Sequence, residues 1–304
     1  MDRFVSVTWL GALALAVSLA SPATALSIDV TASSSDWNEV IYPGITPDFS
    51  DDQQTGITEA DIVGNATGDP AFQIWFDDLG TASPTDGYMG FRVRLGADKN
   101  PPGFEHFFGV GFDVADSLGV LDGAIDLFVG VDFSGNPDQL GIYDPGTGSN
   151  TSPSTTSIVS TPLVSYTPGS VPGDPTYDNY DFSGVSSIDG GAVNSDLDLD
   201  GKEDFYLTFV IPFADIVAQL QAIFPDFDEN TLIQLVIGTS TQSNALNQDL
   251  GGPDGGTNST ESWSALGAIS EPVTSRMLVP EPGTGLLLAL GLVSLALGRR
   301  RGLR

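Results

Sequence analysis

The chain has 304 residues, with 10 Lys and Arg against 40 Asp and Glu, one His, no Cys, a formal net charge of −30 and a sequence pI near 4.1. Nucleic acid is excluded as a direct partner because phosphate binding needs a basic face; disulfide scaffolds, thiolate metal sites and cysteine nucleophiles are excluded with the cysteines. Of the 40 acids, 32 are Asp, which favours turns and cation ligation over helix surfaces, and the lone His106 cannot build a multi-histidine metal site.

Residues 1–25 read as a secretory signal peptide. Arg3 supplies the positive start, Val5 to Ala20 is almost unbroken apolar sequence, and Ser21-Pro22 leads to the small-x-small cleavage site Ala23-Thr24-Ala25. The apolar run, of about 16 residues, is short for a membrane span of roughly 20.

Residues 26–276 are expected to form one acidic domain, mainly β, a two-sheet jelly-roll-like sandwich with one short helix. Setting aside Asp2, Arg3, Glu281 and the four tail arginines leaves 5 basic residues and 38 acids, a body charge near −33. Such a charge keeps a protein soluble and repels anionic surfaces unless cations intervene. Strand-like runs between Gly, Pro, Asp and Asn clusters are Ser27 to Thr31, Phe72 to Phe76, Tyr88 to Leu95, His106 to Val114, Ile125 to Phe133, Leu140 to Tyr143, Asp204 to Ile211 and Leu232 to Thr239. In Phe91-Arg92-Val93-Arg94-Leu95 the alternation puts both arginines on one face, expected to meet solvent. Residues 145–176, rich in Ser, Thr and Pro, are expected to be a long loop.

The strongest chemical signal is Asp196-Leu197-Asp198-Leu199-Asp200-Gly201-Lys202-Glu203-Asp204. Oxygen ligands at positions one, three, five and nine (Asp196, Asp198, Asp200, Asp204), with the Lys202 carbonyl at seven, match what Ca²⁺ needs for six or more contacts. Gly201 permits the sharp turn, and the Lys202 ammonium is expected to point to solvent. Position twelve is Leu207 rather than the bidentate Glu of an EF-hand, so the expected affinity falls in the roughly 10⁻⁴ to 10⁻³ M class of extracellular modules. Upstream, Asp122-Gly123-Ala124-Ile125-Asp126 echoes Asp200 to Asp204, but its earlier ligand positions are Leu118 and Val120. It reads as a structural remnant, with Asp113 or Asp116 able to substitute only if the chain folds back.

After the loop comes a helix with Pro212 at its start, Phe213, Ile216, Val217, Leu220 and Phe224 at helical spacing, and Pro225 at its end. The stretch from Asp196 to about Gly252 resembles a module of large bacterial cell-surface proteins, a resemblance that implies surface display. Catalysis finds little support: His106 reads as a packed or strand-end residue, and no pair of carboxylates can be singled out for a glycosidase. Trp37, Trp75 and Trp263 are expected in the core or at its rim.

At the C-terminus, Pro280-Glu281-Pro282 precedes an apolar run from Gly283 to Gly298, and Arg299, Arg300, Arg301 and Arg304 follow. Physically this is a stop-transfer element held by arginines that stay cytoplasmic. Residues 277–304 resemble the PEP-CTERM sorting tail of Gram-negative, exopolysaccharide-producing bacteria. The resemblance implies processing by an exosortase-type enzyme after transient anchoring in the inner membrane, then release or attachment outside the cell. The expected function is that of an exported, non-enzymatic, calcium-binding protein of the cell surface or extracellular matrix, with Ca²⁺ bridging it to acidic polysaccharide. The alternatives are a secreted carbohydrate-active enzyme and a lectin-like module.

Overall fold

The alternating apolar runs fold into antiparallel sheets in a computed structural model of the chain, which describes residues 28–42, 48, 50–65, 68–99, 103–169, 178–191 and 194–278. The expected signal peptide and the sorting residues from Pro280 onward lie outside the described residues. In chain order the strands are β1 (Asn38–Glu39), β2 (Phe72–Asp77), β3 (Tyr88–Leu95), β4 (Phe107–Val114), β5 (Leu127–Asp132), β6 (Gln139–Tyr143), β7 (Val164–Tyr166), β8 (Tyr180–Gly184), β9 (Phe205–Pro212), β10 (Leu232–Ser240), β11 (Asp249–Leu250) and β12 (Val273–Thr274). One sheet has the order β1-β2-β3-β9-β8, the other β11-β10-β4-β5-β6-β7, with β12 also on β10.

The inner faces share one core. Phe91, Val93 and Phe209 from the first sheet meet Phe108, Val110, Phe112 and Leu235 from the second. The Phe91–Phe112 and Phe108–Phe209 rings cross between the sheets with centroids 6.1 Å apart. Burying each such ring contributes about 1.5–3 kcal/mol. Among the described residues three α-helices of four to eight residues accompany the sheets: α1 (Val185–Asp189), α2 (Phe213–Leu220) and α3 (Trp263–Leu266). Helix α2 turns Phe213, Ile216, Val217 and Leu220 into the core. It stops at Leu220, four residues before the expected end, although the N–H of Phe224 still reaches the Leu220 carbonyl at 2.7 Å.

The outer faces are covered too. On the second sheet, Gly238, Gly109, Gly130 and Gly141 lie side by side across four strands. A Cβ on Gly130 would stand 2.3 Å from the Phe108 carbonyl oxygen, so the strands can only approach there without one. Around this row Phe107, Phe128, Tyr143 and Val236 pack under Trp263. Residues 145–169 contribute to this cover: they hold a 3-10 turn at Pro153–Thr155 and the edge strand β7, and Trp263 Nε1 donates to the Asn150 carbonyl at 2.8 Å.

On the first sheet the alternation in Phe91–Leu95 holds, but its polar side does not meet solvent. Arg92 and Arg94 are both fully buried. Residues 28–37, expected to begin as a strand, instead turn at Val30 and Thr31 and lay Trp37 over the sheet. The Arg92 guanidinium sits 4.3 Å over the Trp37 ring and donates to the carbonyls of Val30 and Ala32, at 2.8 Å each, and to Thr208 Oγ1 at 2.9 Å. Period-two alternation shows which residues share a face but not whether another segment covers it.

Candidate metal centre

Residues 58–63 form a strap between the two sheets. Val63 N–H donates to the Arg94 carbonyl and Ile62 is bridged to Leu95, which ties the strap to β3. Ile62 N–H donates to Asp249 Oδ2 at 2.6 Å, and Thr239 Oγ1 donates to the Ala60 carbonyl, which ties it to β11 and β10. Asp61 lies in the middle of this strap. The loop of residues 196–204 approaches it from the start of β9.

Carboxylate-to-backbone bonds shape that loop. Asp196 Oδ2 accepts from Gly201 N–H at 3.2 Å, Asp198 Oδ1 from Asp200 N–H at 3.2 Å, and Asp204 Oδ2 from Leu197 N–H at 3.1 Å. Gly201 has φ +83°, as the turn requires, and the exposed Leu199 is held at φ +61°, where an L side chain is strained. Arg94 fixes the far end, with Nε and Nη2 on Asp204 Oδ2 at 2.7 and 2.6 Å and both side chains fully buried. The remaining oxygens, Asp196 Oδ1, Asp198 Oδ2 and Asp204 Oδ1, have no hydrogen-bond donor. One carboxylate oxygen from each of these three residues lies within 4.8 Å of the others.

Asp200 does not join them. Its Oδ2 holds the Lys202 ammonium at 2.6 Å and its Oδ1 accepts Lys202 N–H at 2.7 Å. The Lys202 side chain is exposed, as expected, and its ammonium pairs with Asp200 two residues before it.

The structure adds acids to the site that no local spacing announces. Asp51, Asp61 and Asp198 form a second group with oxygens within 4.8 Å, and Asp48, Asp52 and Asp249 a third. Asp198 belongs to both the first and the second. The Asp51-Asp52 doublet was the visible hint, but residues some 140 positions apart in sequence meet only through the strap.

Burial dominates the electrostatics. It pushes the Asp61 carboxyl up to about 7, with the charges of Asp52, Asp51 and Asp198 adding to it against the Asp51 N–H bond. Asp198 rises to about 6 by burial, aided by Asp200 and Asp196, and Asp204 rises to about 6 by burial despite Arg94. At Asp200 slight desolvation is outweighed by Lys202, and the carboxyl stays below its ordinary range. Clustered carboxylates of this kind lower their mutual repulsion either by holding protons or by sharing a hard cation with oxygen ligands.

The upstream echo behaves differently. Asp113 does fold back to it: its Oδ2 accepts Gly123 N–H at 3.0 Å, and Asp126 Oδ2 accepts Val114 N–H at 2.9 Å. Among the described residues Asp113, Asp122 and Asp126 do not form one of the groups with oxygens within 4.8 Å. His106 Nε2 lies 3.7 Å from the buried Glu59 Oε2, at the mouth of β4. Trp37, Trp75 and Trp263 are all buried. A cleft of about 550 Å³ lies between the β4–β5 loop and the turn after α2, lined among others by Asp116, Asp226, Phe224 and Phe227.

Among the described residues no helix is long and apolar enough to cross a membrane. Residues 278–301 match the family model of the PEP-CTERM protein-sorting motif, a span that contains Pro280, Glu281, Pro282, Arg299, Arg300 and Arg301. The match supports an exported protein sorted through its C-terminus and processed by an exosortase-type enzyme. No curated protein matches the chain, and no solved structure does.

Proposed function

We propose that this chain is an exported, non-enzymatic protein of the cell surface or extracellular matrix of a Gram-negative bacterium, whose acidic β-sandwich binds Ca²⁺ in the loop of residues 196–204. The observation that carries the calcium reading is the convergence of Asp196, Asp198 and Asp204, each with one donor-free oxygen, while Arg94 occupies the opposite oxygen of Asp204. The Lys202 carbonyl and water would complete the oxygen shell. Two sheets sharing one apolar core support the sandwich, and the sorting motif supports delivery outside the cell. In that setting a body near −33 approaches acidic polysaccharide only with divalent ions between them, and this is the matrix role assigned here. Melting of the purified full chain tests the calcium reading: millimolar Ca²⁺ raises Tm and Mg²⁺ does so less, and an unchanged Tm rejects it.

The cleft beside α2 favours a second reading, a carbohydrate-active site, because two carboxylates and two phenylalanines line it. It ranks lower. Asp116 Oδ1 is taken by the N–H groups of Leu118 and Val120, and both Asp116 and Asp226 are exposed rather than desolvated as a general acid requires. New reducing ends on incubation with cell-derived polysaccharide would reverse the order.

A further inference from the structure

The loop acids do not end at the loop. Asp198 Oδ2 has no donor, Asp198 is only 8% exposed, and this oxygen also borders Gly96 at the end of β3. A Cβ built on Gly96 would stand 2.9 Å from Asp198 Oδ2, 3.2 Å from the Thr58 carbonyl oxygen and 3.4 Å from Asp61 Oδ2. Gly96 has no left-handed φ that would call for glycine. What its missing side chain preserves is a space walled by three oxygens from two segments of the chain. Asp61 is fully buried, its Oδ1 also lacks a donor, and Asp51 brings a third carboxylate within 4.8 Å.

We propose that a second divalent cation, Ca²⁺ by its all-oxygen surroundings, binds between Asp51, Asp61, Asp198 and the Thr58 carbonyl, with Asp198 bridging it to the loop ion. Charge supports the count. Asp51, Asp61, Asp196, Asp198 and Asp204 face one buried Arg94, whose charge Asp69 shares at 3.4 Å, so a single divalent ion leaves the cluster net negative. The third acidic group takes no ion in this scheme. Both oxygens of Asp249 already accept backbone N–H groups, from Leu250 and Ile62, and Asp249 shares a hydrogen bond with Asp52. The second ion would clamp the strap of residues 58–63, and through it both sheets, onto the loop.

The proposal rests on the loop reading, so the test separates the two. Calcium binding to the full chain is measured by equilibrium dialysis and calorimetry, with folding of each variant checked by circular dichroism. Two ions bind the wild-type chain. Asp61→Asn leaves one, Asp196→Asn leaves the other, and Asp198→Asn weakens both at least tenfold. Asp51→Asn, at an exposed position, is the control should Asp61→Asn fail to fold, and weakens one site only. Gly96→Ala, whose methyl group fills the space, does the same. A single ion, lost in Asp196→Asn and indifferent to Asp51, Asp61 and Gly96, overturns the second site and leaves the loop reading standing. A single ion lost only in the strap variants overturns the loop reading and the bridged pair together, as does no binding at all.

Discussion

Arg94 places two of its nitrogens on the same oxygen of Asp204, and the pair is sealed from solvent between β3 and the loop that precedes β9. The arrangement holds one face of the carboxylate so that the other can present its oxygen to the neighbouring acids. Breaking it from the arginine side leaves a buried carboxylate uncompensated. Arg94→Met is expected to lower unfolding free energy by about 3–5 kcal/mol, measured by urea denaturation, and Arg94→Lys to recover only part of it.

Arg92 has the opposite task, without a carboxylate on its guanidinium. Burial lowers it to about 10, against the raising charges of Tyr206, Asp189, Asp181 and Asp29, and two backbone carbonyls and the Trp37 face take its charge. Arg92→Ala is expected to release residues 28–37 while the sheets persist. Tryptophan emission shifts to the red and limited proteolysis opens near residue 30; unchanged emission would reject the clamp.

The echo loop gives a pH dependence. Burial pushes Asp126 up to about 7, with the charges of Asp113 and Asp122 adding to it against the Val114 N–H bond. The folded chain therefore holds this proton more tightly than the unfolded chain, whose carboxyl titrates near about 4. Its contribution is full below that pH and is lost as pH rises through about 7. Asp126→Asn keeps the acceptor for Val114 and removes the titration, so the variant gains stability relative to wild type as pH rises from about 4 to about 7, read as the difference in denaturation midpoints.

For the tail, replacing Pro280, Glu281 and Pro282 by alanine is expected to block processing without altering the body. The full-length chain then accumulates in the inner-membrane fraction, whereas the wild type loses mass at its C-terminus. Equal processing of both, read by intact mass, rejects the assignment.

Much of the fold was legible because it is local. The alternation from Tyr88 to Leu95 coincides with β3 residue for residue, and Phe213, Ile216, Val217 and Leu220 face the core as their spacing requires. The edge strands β7 and β8 were not seen, since Val164–Tyr166 is too short for a period and Tyr180–Gly184 is only half-buried throughout. In the site, Asp196, Asp198 and Asp204 could be chosen by spacing, but the rotation of Asp200 onto Lys202 is a side-chain choice that spacing does not carry. Asp51 and Asp61 escaped for a different reason: their role exists only once the strap has joined the two sheets. The burial of Arg92 and Arg94 likewise depends on what lies across the sheet.

Leu278, the last described residue, is buried in the main core, and its carbonyl accepts from Asn38 Nδ2 on β1 at 2.6 Å. Just before it, Arg276 Nη1 grips the buried carboxylate of Glu229 at 2.5 Å. Pro280 follows two residues on, within about 7 Å of fully stretched chain. A pull applied beyond Leu278 is therefore borne first by its carbonyl on Asn38 and by the grip of Arg276 on Glu229.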